Sequence, residues 1–297
     1  MKKFFCGCLA FLCLFAFSCK LEENDSDSKF GSVSISLAKP AAESAEKKSS
    51  RALYIPEITE ATVTICGYGM EDVEKSVKVE LGKGSVSFDK IPVGKNRVVK
   101  VQAEYTLNNA LSKLDGVVIY AATDINSGEN SVSVNWATSA VGAVYYNLIK
   151  ENYDISNLEK SSVESFIPSS THAALVNTKQ IALDIKNGAT PPQTLEKYKL
   201  KSGKITFCTD KAYSDVKVQI CDPVSLALTG TTGETQTIEN VAPGTWNFYL
   251  IKDNSIFYKI DSVAVKEDEP VDLGTILLGS VKIGSKHPAS GKYSPVD

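Results

Sequence analysis

Side chains able to transfer protons, attack carbonyls or hold metals are scarce in this chain. It carries two histidines, His172 and His287. A serine hydrolase needs its histidine beside a serine, a distant acid and an oxyanion hole. No Gly-x-Ser-x-Gly elbow is present. His172 lies in Ser169-Ser170-Thr171-His172-Ala173-Ala174, at the approach to a helix, and reads as a loop or capping residue. His287 lies in a Gly/Ser/Pro/Lys tail expected to be disordered. Asp124-Ile125-Asn126-Ser127-Gly128-Glu129 starts like a calcium loop. It lacks the carboxylate at the fifth position, the glycine at the sixth and the bidentate Glu at the twelfth. A hairpin turn accounts for the same residues. Gly67-Tyr68-Gly69 lacks the further glycine and the βαβ setting of a dinucleotide loop, and no Walker phosphate loop occurs. The residues indicate no catalytic site, no metal site and no cofactor.

Seven cysteines remain to be placed. Four fall within the first nineteen residues, at Cys6, Cys8, Cys13 and Cys19. Met1-Lys2-Lys3 forms a short basic region. Phe4 to Phe17 is an apolar run of fourteen residues, short for a membrane span and suited to a signal peptide. Ala16-Phe17-Ser18 then places small residues at −3 and −1 before Cys19. This layout resembles a bacterial lipobox of the relaxed spirochaete kind, with Ala16 where the commoner pattern has Leu. The resemblance implies cleavage after residue 18 and a diacylglycerol on the Cys19 sulfur. Cys13 is a poorer acceptor because Leu12 precedes it, and Cys6 and Cys8 come too early. Each buried acyl methylene contributes about 0.8 kcal/mol, so two or three chains anchor a protein durably. Lys20 follows the cysteine, so the Asp that retains many enterobacterial lipoproteins in the inner membrane is missing. Outer membrane is therefore favoured over inner membrane. Removing residues 1–18 leaves 279 residues and, with Lys2 and Lys3 gone, a net charge of −5 in place of −3. Such an acidic chain is not a nucleic-acid binder.

Residues 19–30 form the lipidated cysteine and an acidic tether, Leu21-Glu22-Glu23-Asn24-Asp25-Ser26-Asp27-Ser28, with no apolar period to bury. Beyond it the pattern alternates. Val33, Ile35 and Leu37 alternate with Ser; Val63 and Ile65 with Thr62 and Thr64; Val77, Val79 and Leu81 with Lys78 and Glu80. Val99, Val101, Ala103 and Tyr105 alternate with Lys100, Gln102 and Glu104, and Val132, Val134 and Trp136 close the series. Period two reads as half-buried strands on one core. Lys39 to Arg51 interrupts them as a surface loop. Residues 31–138 are expected to form a first β-sandwich.

Residues 193–283 repeat the pattern through Ile205/Phe207, Val216/Val218/Ile220, Trp246/Phe248/Leu250, Val263/Val265 and Val271/Leu273. Val63-Thr64-Ile65-Cys66 aligns with Val218-Gln219-Ile220-Cys221. Phe88 to Gly94 aligns with Ile238 to Gly244, a Pro/Gly corner where Gly permits positive φ. Between the halves, residues 139–192 are helical. Val141, Val144, Tyr145, Leu148 and Ile149 share one helix face. Ser162 to Ile167 forms a short second helix, and Thr178 caps a third that stops at Asn187-Gly188. Residues 284–297 are a disordered tail. The expected fold class is mainly β with a helical subdomain: two antiparallel β-sandwich domains, Ig-like or prealbumin-like.

The lipobox, the Gly31-Ser32-Val33-Ser34-Ile35-Ser36-Leu37 strand, the Arg51-Ala52-Leu53 loop and the Ile91-Pro92-Val93-Gly94-Lys95-Asn96-Arg97 turn resemble exported lipoproteins of spirochaetes, treponemes especially. Val241-Ala242-Pro243-Gly244-Thr245-Trp246 resembles carboxypeptidase-regulatory or collagen-adhesin B-type sandwiches. The resemblance implies an envelope protein, anchored to the membrane through Cys19, with a non-catalytic role in binding, display or adhesion. Its ligand, protein or glycan, stays unidentified, as do the ligand-binding residues. A periplasm-facing assembly lipoprotein is the alternative, and a carbohydrate-active hydrolase with dispersed carboxylates a more distant one. Three cysteines stay in the body, Cys66, Cys208 and Cys221. They include no Cys-x-x-Cys pair and read as three thiols, with Cys208 and Cys221 at opposite ends of a hairpin. Tyr145, Tyr146 and Tyr153, and Trp246 with Tyr249, are aromatic candidates for an interface that core packing would equally claim.

Overall fold

The computed structural model describes residues 29–37, 58–80, 83–107, 109–169, 171–220, 225–230, 233–252 and 255–278. Cys19, the tether, the Lys39 to Arg51 loop, Leu81, Cys221 and the tail with His287 lie outside the described residues.

Alternating sequence becomes alternating burial. In β1 (Phe30–Ser36), Val33 and Ile35 are fully buried while Ser34 and Ser36 face solvent. β1 sits centrally in one sheet, between β4 (Ser85–Pro92) and β7 (Gly128–Ser133). A second sheet orders β3 (Val73–Lys78), β2 (Ile58–Cys66), β5 (Gly94–Leu107) and β6 (Ala110–Ile125). Val33, Ile35, Val63, Ile65, Phe88 and Val99 belong to the core they share.

The C-terminal half repeats this order. Its strands are β8 (Gly203–Thr209), β9 (Tyr213–Gln219), β10 (Ser225–Gly230), β11 (Gln236–Val241), β12 (Gly244–Lys252), β13 (Ser255–Val265) and β14 (Pro270–Ile276). They pair as β11–β8–β14 and β10–β9–β12–β13, the first sandwich's orders with seven added to each label. Smaller features repeat as well. The β1–β4 ladder shifts register between Gly31 and Val33, and the β11–β8 ladder between Ile238 and Val241. At both bulges one residue takes positive φ, Lys90 at 58° and Asn240 at 60°. At Gly31 and Gly203 alike the backbone just beyond a strand end passes too close for a side chain. A Cβ would stand 2.2 Å from the Asn126 carbonyl oxygen at Gly31 and 2.5 Å from that of Lys266 at Gly203.

Each sandwich departs from an all-antiparallel plan at one pair. β1 runs parallel to β7, and β8 parallel to β14. This corrects two expected hairpins. The Asn126-Ser127-Gly128 turn carries the chain from β6 in one sheet to β7 in the other. β8 and β9 likewise lie in different sheets, so no hairpin separates Cys208 from Cys221. A turn sequence fixes a reversal of direction; the choice of neighbour belongs to the two-sheet core. The positive φ expected in the first corner sits at Lys90, although in the second Gly244 also takes one, at 144°.

Helix α1 (Trp136–Lys150) begins at Trp136, which the period-two pattern had placed in the last strand. Asn135 decides the switch: its side-chain oxygen accepts from the Thr138 N–H at 3.2 Å and caps the helix. Val144, Tyr145 and Leu148 are fully buried, each contributing roughly 1.5–3 kcal/mol by the area rule. Gly142 lets the helix lie close on β6, since a Cβ there would stand 2.7 Å from the Tyr120 Cβ. Helix α2 (Lys160–Glu164) is shorter than expected, and α3 (Thr178–Lys186) is capped by Asn177, one residue before Thr178. Tyr198, beyond the Pro191-Pro192 pair, returns to the helical core, where its hydroxyl donates to Asp184 at 2.7 Å. That core includes Cys66 and Val98, so the helices cover the outer face of the four-stranded sheet of the first sandwich.

The second sandwich joins the first through β6 and β12. Gln102 pairs with Val118 but Glu104 with Lys113, so residues 114–117 loop out of the ladder. Gly116 within this bulge faces the indole of Trp246; a Cβ would come 2.5 Å from its Cε2. A Cβ on Gly244 would stand 2.7 Å from the Gly116 Cα. Trp246 is fully buried, and its Nε1–H donates to the Ala242 carbonyl at 2.8 Å. Val117, Trp136, Ala174 and Leu175 pack on the same core. The Tyr105 hydroxyl and Ser262 Oγ close the joint at 2.6 Å.

Candidate binding surface

The chemistry-bearing residues are used structurally. His172 begins a turn of 3-10 helix, its Nδ1 accepting from the Ala174 N–H at 3.3 Å, with its ring 4.8 Å from that of Trp136. Asp124 accepts from the Asn96 N–H at 2.9 Å. Asn130 wires the following turn to itself, accepting from Asn126 N–H at 3.0 Å and donating to the Asn126 carbonyl at 2.8 Å. Buried Glu104 accepts from the Thr62 hydroxyl and faces Lys113. Among the described residues, no group of three or more His, Cys, Asp or Glu could hold a metal ion.

Cys66 is a quiet thiol. Cys66 is fully buried, and burial, with the Asp72 charge adding to it, pushes its pKa up to about 12. Thiolate is therefore scarce at neutral pH. Cys208 is half-buried, with Sγ 3.1 Å from Thr275 Oγ1. The aromatic candidates divide: Tyr145, Trp246 and Tyr249 are core, and Tyr146 reaches the surface.

Around Tyr146 a built surface emerges. Its ring lies 5.3 Å from that of Tyr120. The Lys100 and Lys150 ammonium groups stand 5.4 and 5.2 Å from its centroid. Burial works against the Lys150 charge, but its 2.5 Å hydrogen bond to Asp72 and the Asp72 charge outweigh it and raise the pKa. Beside this pair a depression of about 430 Å³ opens between the β2–β3 turn and the end of α1, lined by residues 67–72, Ile149, Lys150 and Asn152. Tyr68, at the tip of that turn, is one of the few exposed large aromatics.

Arg97 holds the turn. It is buried, and its guanidinium donates to the carbonyls of Pro92 at 3.3 Å, Tyr68 at 3.1 Å and Val93 at 3.1 Å. Burial lowers its pKa, with the nearby Cys66 opposing. Glycines make room for the guanidinium: a Cβ on Gly67 would stand 2.3 Å from Nη1, and one on Gly94 2.5 Å from Nη2. The sequence offered Gly67-Tyr68-Gly69 and Arg97 as two separate turn elements. The pairing of a glycine-flanked tyrosine with a buried arginine from the start of β5 is visible only in three dimensions.

No protein-family model matches the sequence, and no curated protein matches it. Two solved structures align with it. A fimbrilin of Porphyromonas gingivalis W83 is 12% identical over 84% of this chain, with a TM-score of 0.24. The match spans 62% of the fimbrilin's own length. A protein of Parabacteroides distasonis ATCC 8503, proposed to act in cell adhesion, is 9% identical over 85% of this chain and 90% of its own, with a TM-score of 0.23. Among the described residues, no helix is long and apolar enough to cross a membrane.

Proposed function

We propose that this protein is a lipid-anchored component of a bacterial cell envelope, with a non-catalytic role in binding or display. The depression at the β2–β3 turn carries the reading. It offers contact groups, an exposed ring and a charged pair on a pinned loop, and no assembled nucleophile or acid–base pair. Loops held on rigid scaffolds are where binding concentrates. The anchor rests on Cys19 and its small-residue context. Ten residues separate Cys19 from Phe30, a reach of at most about 35 Å. Such a tether would hold the first sandwich near the bilayer.

Radiolabelled palmitate should mark the protein and vanish in Cys19→Ala; label persisting in that variant overturns the anchor. Protease added to intact cells should cleave the folded chain if it displays outward. Full protection would favour a periplasm-facing assembly role.

A further inference from the structure

The geometry points to a saccharide site at the β2–β3 turn, selective for neutral pyranosides, with Tyr68 as its platform. This inference rests on the binding reading above and names the ligand class. Its first support is the cost of the loop. Arg97 is buried against three carbonyl oxygens and, among the described residues, no carboxylate. Burying a charge without a counter-charge is unfavourable. Gly69 takes φ of 71°, and Gly67 must lack a side chain for the guanidinium to fit. Arg97 fastens its own β4–β5 corner through Pro92 and Val93, and its third bond ties the Tyr68 carbonyl to that corner. That bond secures a fixed position for Tyr68, and binding groups need such support behind them.

The second support is the chemistry of the depression. A pyranose presents an apolar face of C–H groups and a rim of hydroxyls. Tyr68 supplies a flat, half-wet ring for the first. Glu71, Asp72, Lys150 and Asn152 supply acceptors and donors for the second. Asn152 takes φ of 54°, and the Met70 N–H bonds back to the Gly67 carbonyl at 3.3 Å. Within the rim, the Asp72–Lys150 pair at 2.5 Å is the fixed part. Glu71 and Asp72 are balanced by Lys150 and by the Arg97 guanidinium behind the turn, so the wall carries no net positive charge to draw an anionic sugar. A volume of about 430 Å³ lies in the range of small-molecule sites.

The test is saturation-transfer difference NMR on the full chain in a non-glycosidic detergent. The probes are methyl glucoside, methyl galactoside, methyl N-acetylglucosaminide and, as the anionic comparison, N-acetylneuraminic acid. Transfer to the ring protons of at least one neutral glycoside is expected, and little to the anionic one. Tyr68→Ala should weaken it about tenfold or more, the scale of a central aromatic contact. Tyr68→Phe should retain binding, which separates loss of the platform from loss of fold. Leu183→Ala, on exposed α3 surface, should change nothing. No transfer from any neutral glycoside, equal transfer in Tyr68→Ala, or preference for the anionic sugar overturns the inference. None of these outcomes alters the palmitate result on Cys19, so the two readings fail separately.

Discussion

Gly116→Ala is the sharpest probe of how the two sandwiches are joined. The added methyl would stand 2.5, 2.6 and 2.9 Å from three atoms of the Trp246 indole. That indole cannot step aside cheaply, because it is fully buried and its N–H is committed to the Ala242 carbonyl. Overpacking a tight site costs about 1–3 kcal/mol. Taking about 2 kcal/mol for a folded body of roughly 250 residues gives a Tm lower by about 4–8 °C. Calorimetry reads the shift. The chain's two tryptophans, Trp136 and Trp246, both sit at this joint, so intrinsic fluorescence reports it without a label. Emission should shift to the red at lower temperature in the variant. Combining Gly116→Ala with Trp246→Phe should recover part of the loss, since the smaller ring makes room, less about 1 kcal/mol for the missing indole hydrogen bond. A Tm for Gly116→Ala equal to that of the parent would refute the tight contact. Strict additivity in the double variant would refute the coupling.

Three further outcomes test the rest of the surface and its support. Cys66, with its pKa near 12, should resist alkylation in the folded protein and react once it is denatured; modification in the native state would contradict its burial. Arg97→Lys cannot bridge three carbonyls, so amide exchange at residues 67–70 should accelerate, while the β1 amides stay protected. The hydrogen bonds from Lys197 and then Tyr198 hold the Asp184 carboxyl below its usual range. A depressed carboxylate pKa contributes stability above the unfolded value of about 3.9 and loses it as the pH falls through the folded one. The Tm gap between parent and Asp184→Asn should therefore be widest near neutral pH and narrow below about pH 4; a constant gap would contradict the staple.

The strands that announce themselves in sequence have one face on a core and one in water. β1 shows this with Val33 and Ile35 between serines; β2 keeps the alternation of Val63 and Ile65 with threonines, but Thr62 and Thr64 are themselves buried and bond to Glu104 and Glu74. β6 does not. Its Val117 to Ala122 stretch is apolar throughout, because Val117 packs on the second sandwich, Ala121 on the first sandwich's inner core, and Tyr120 and Ala122 under the helices. Trp136 continues the spacing of Val132 and Val134 by coincidence, and only the Asn135 cap breaks it. The match of Phe88–Gly94 with Ile238–Gly244 points to a repeat, and the shared strand order, bulge and crowded glycine give that match a structural basis. The candidate site was least legible. Tyr68 lies in the β2–β3 turn and Arg97 near the start of β5, and nothing in the spacing between them says that one carries the other.

The parallel pairs at the ends of each sandwich also govern how the protein would bear load. A pull between the chain's ends enters the first sandwich at Phe30 and leaves through Ser133. It enters the second at Gly203 and leaves through Ile276. β1 lies beside β7 from Gly31 opposite Gly128 to Ser36 opposite Ser133, and β8 beside β14 in the same sense. Entry and exit are therefore at opposite ends of each ladder. The force shears all the rungs together, where an antiparallel pair would unzip them one at a time. Both sandwiches therefore resist, in series, a tension applied between the chain's ends.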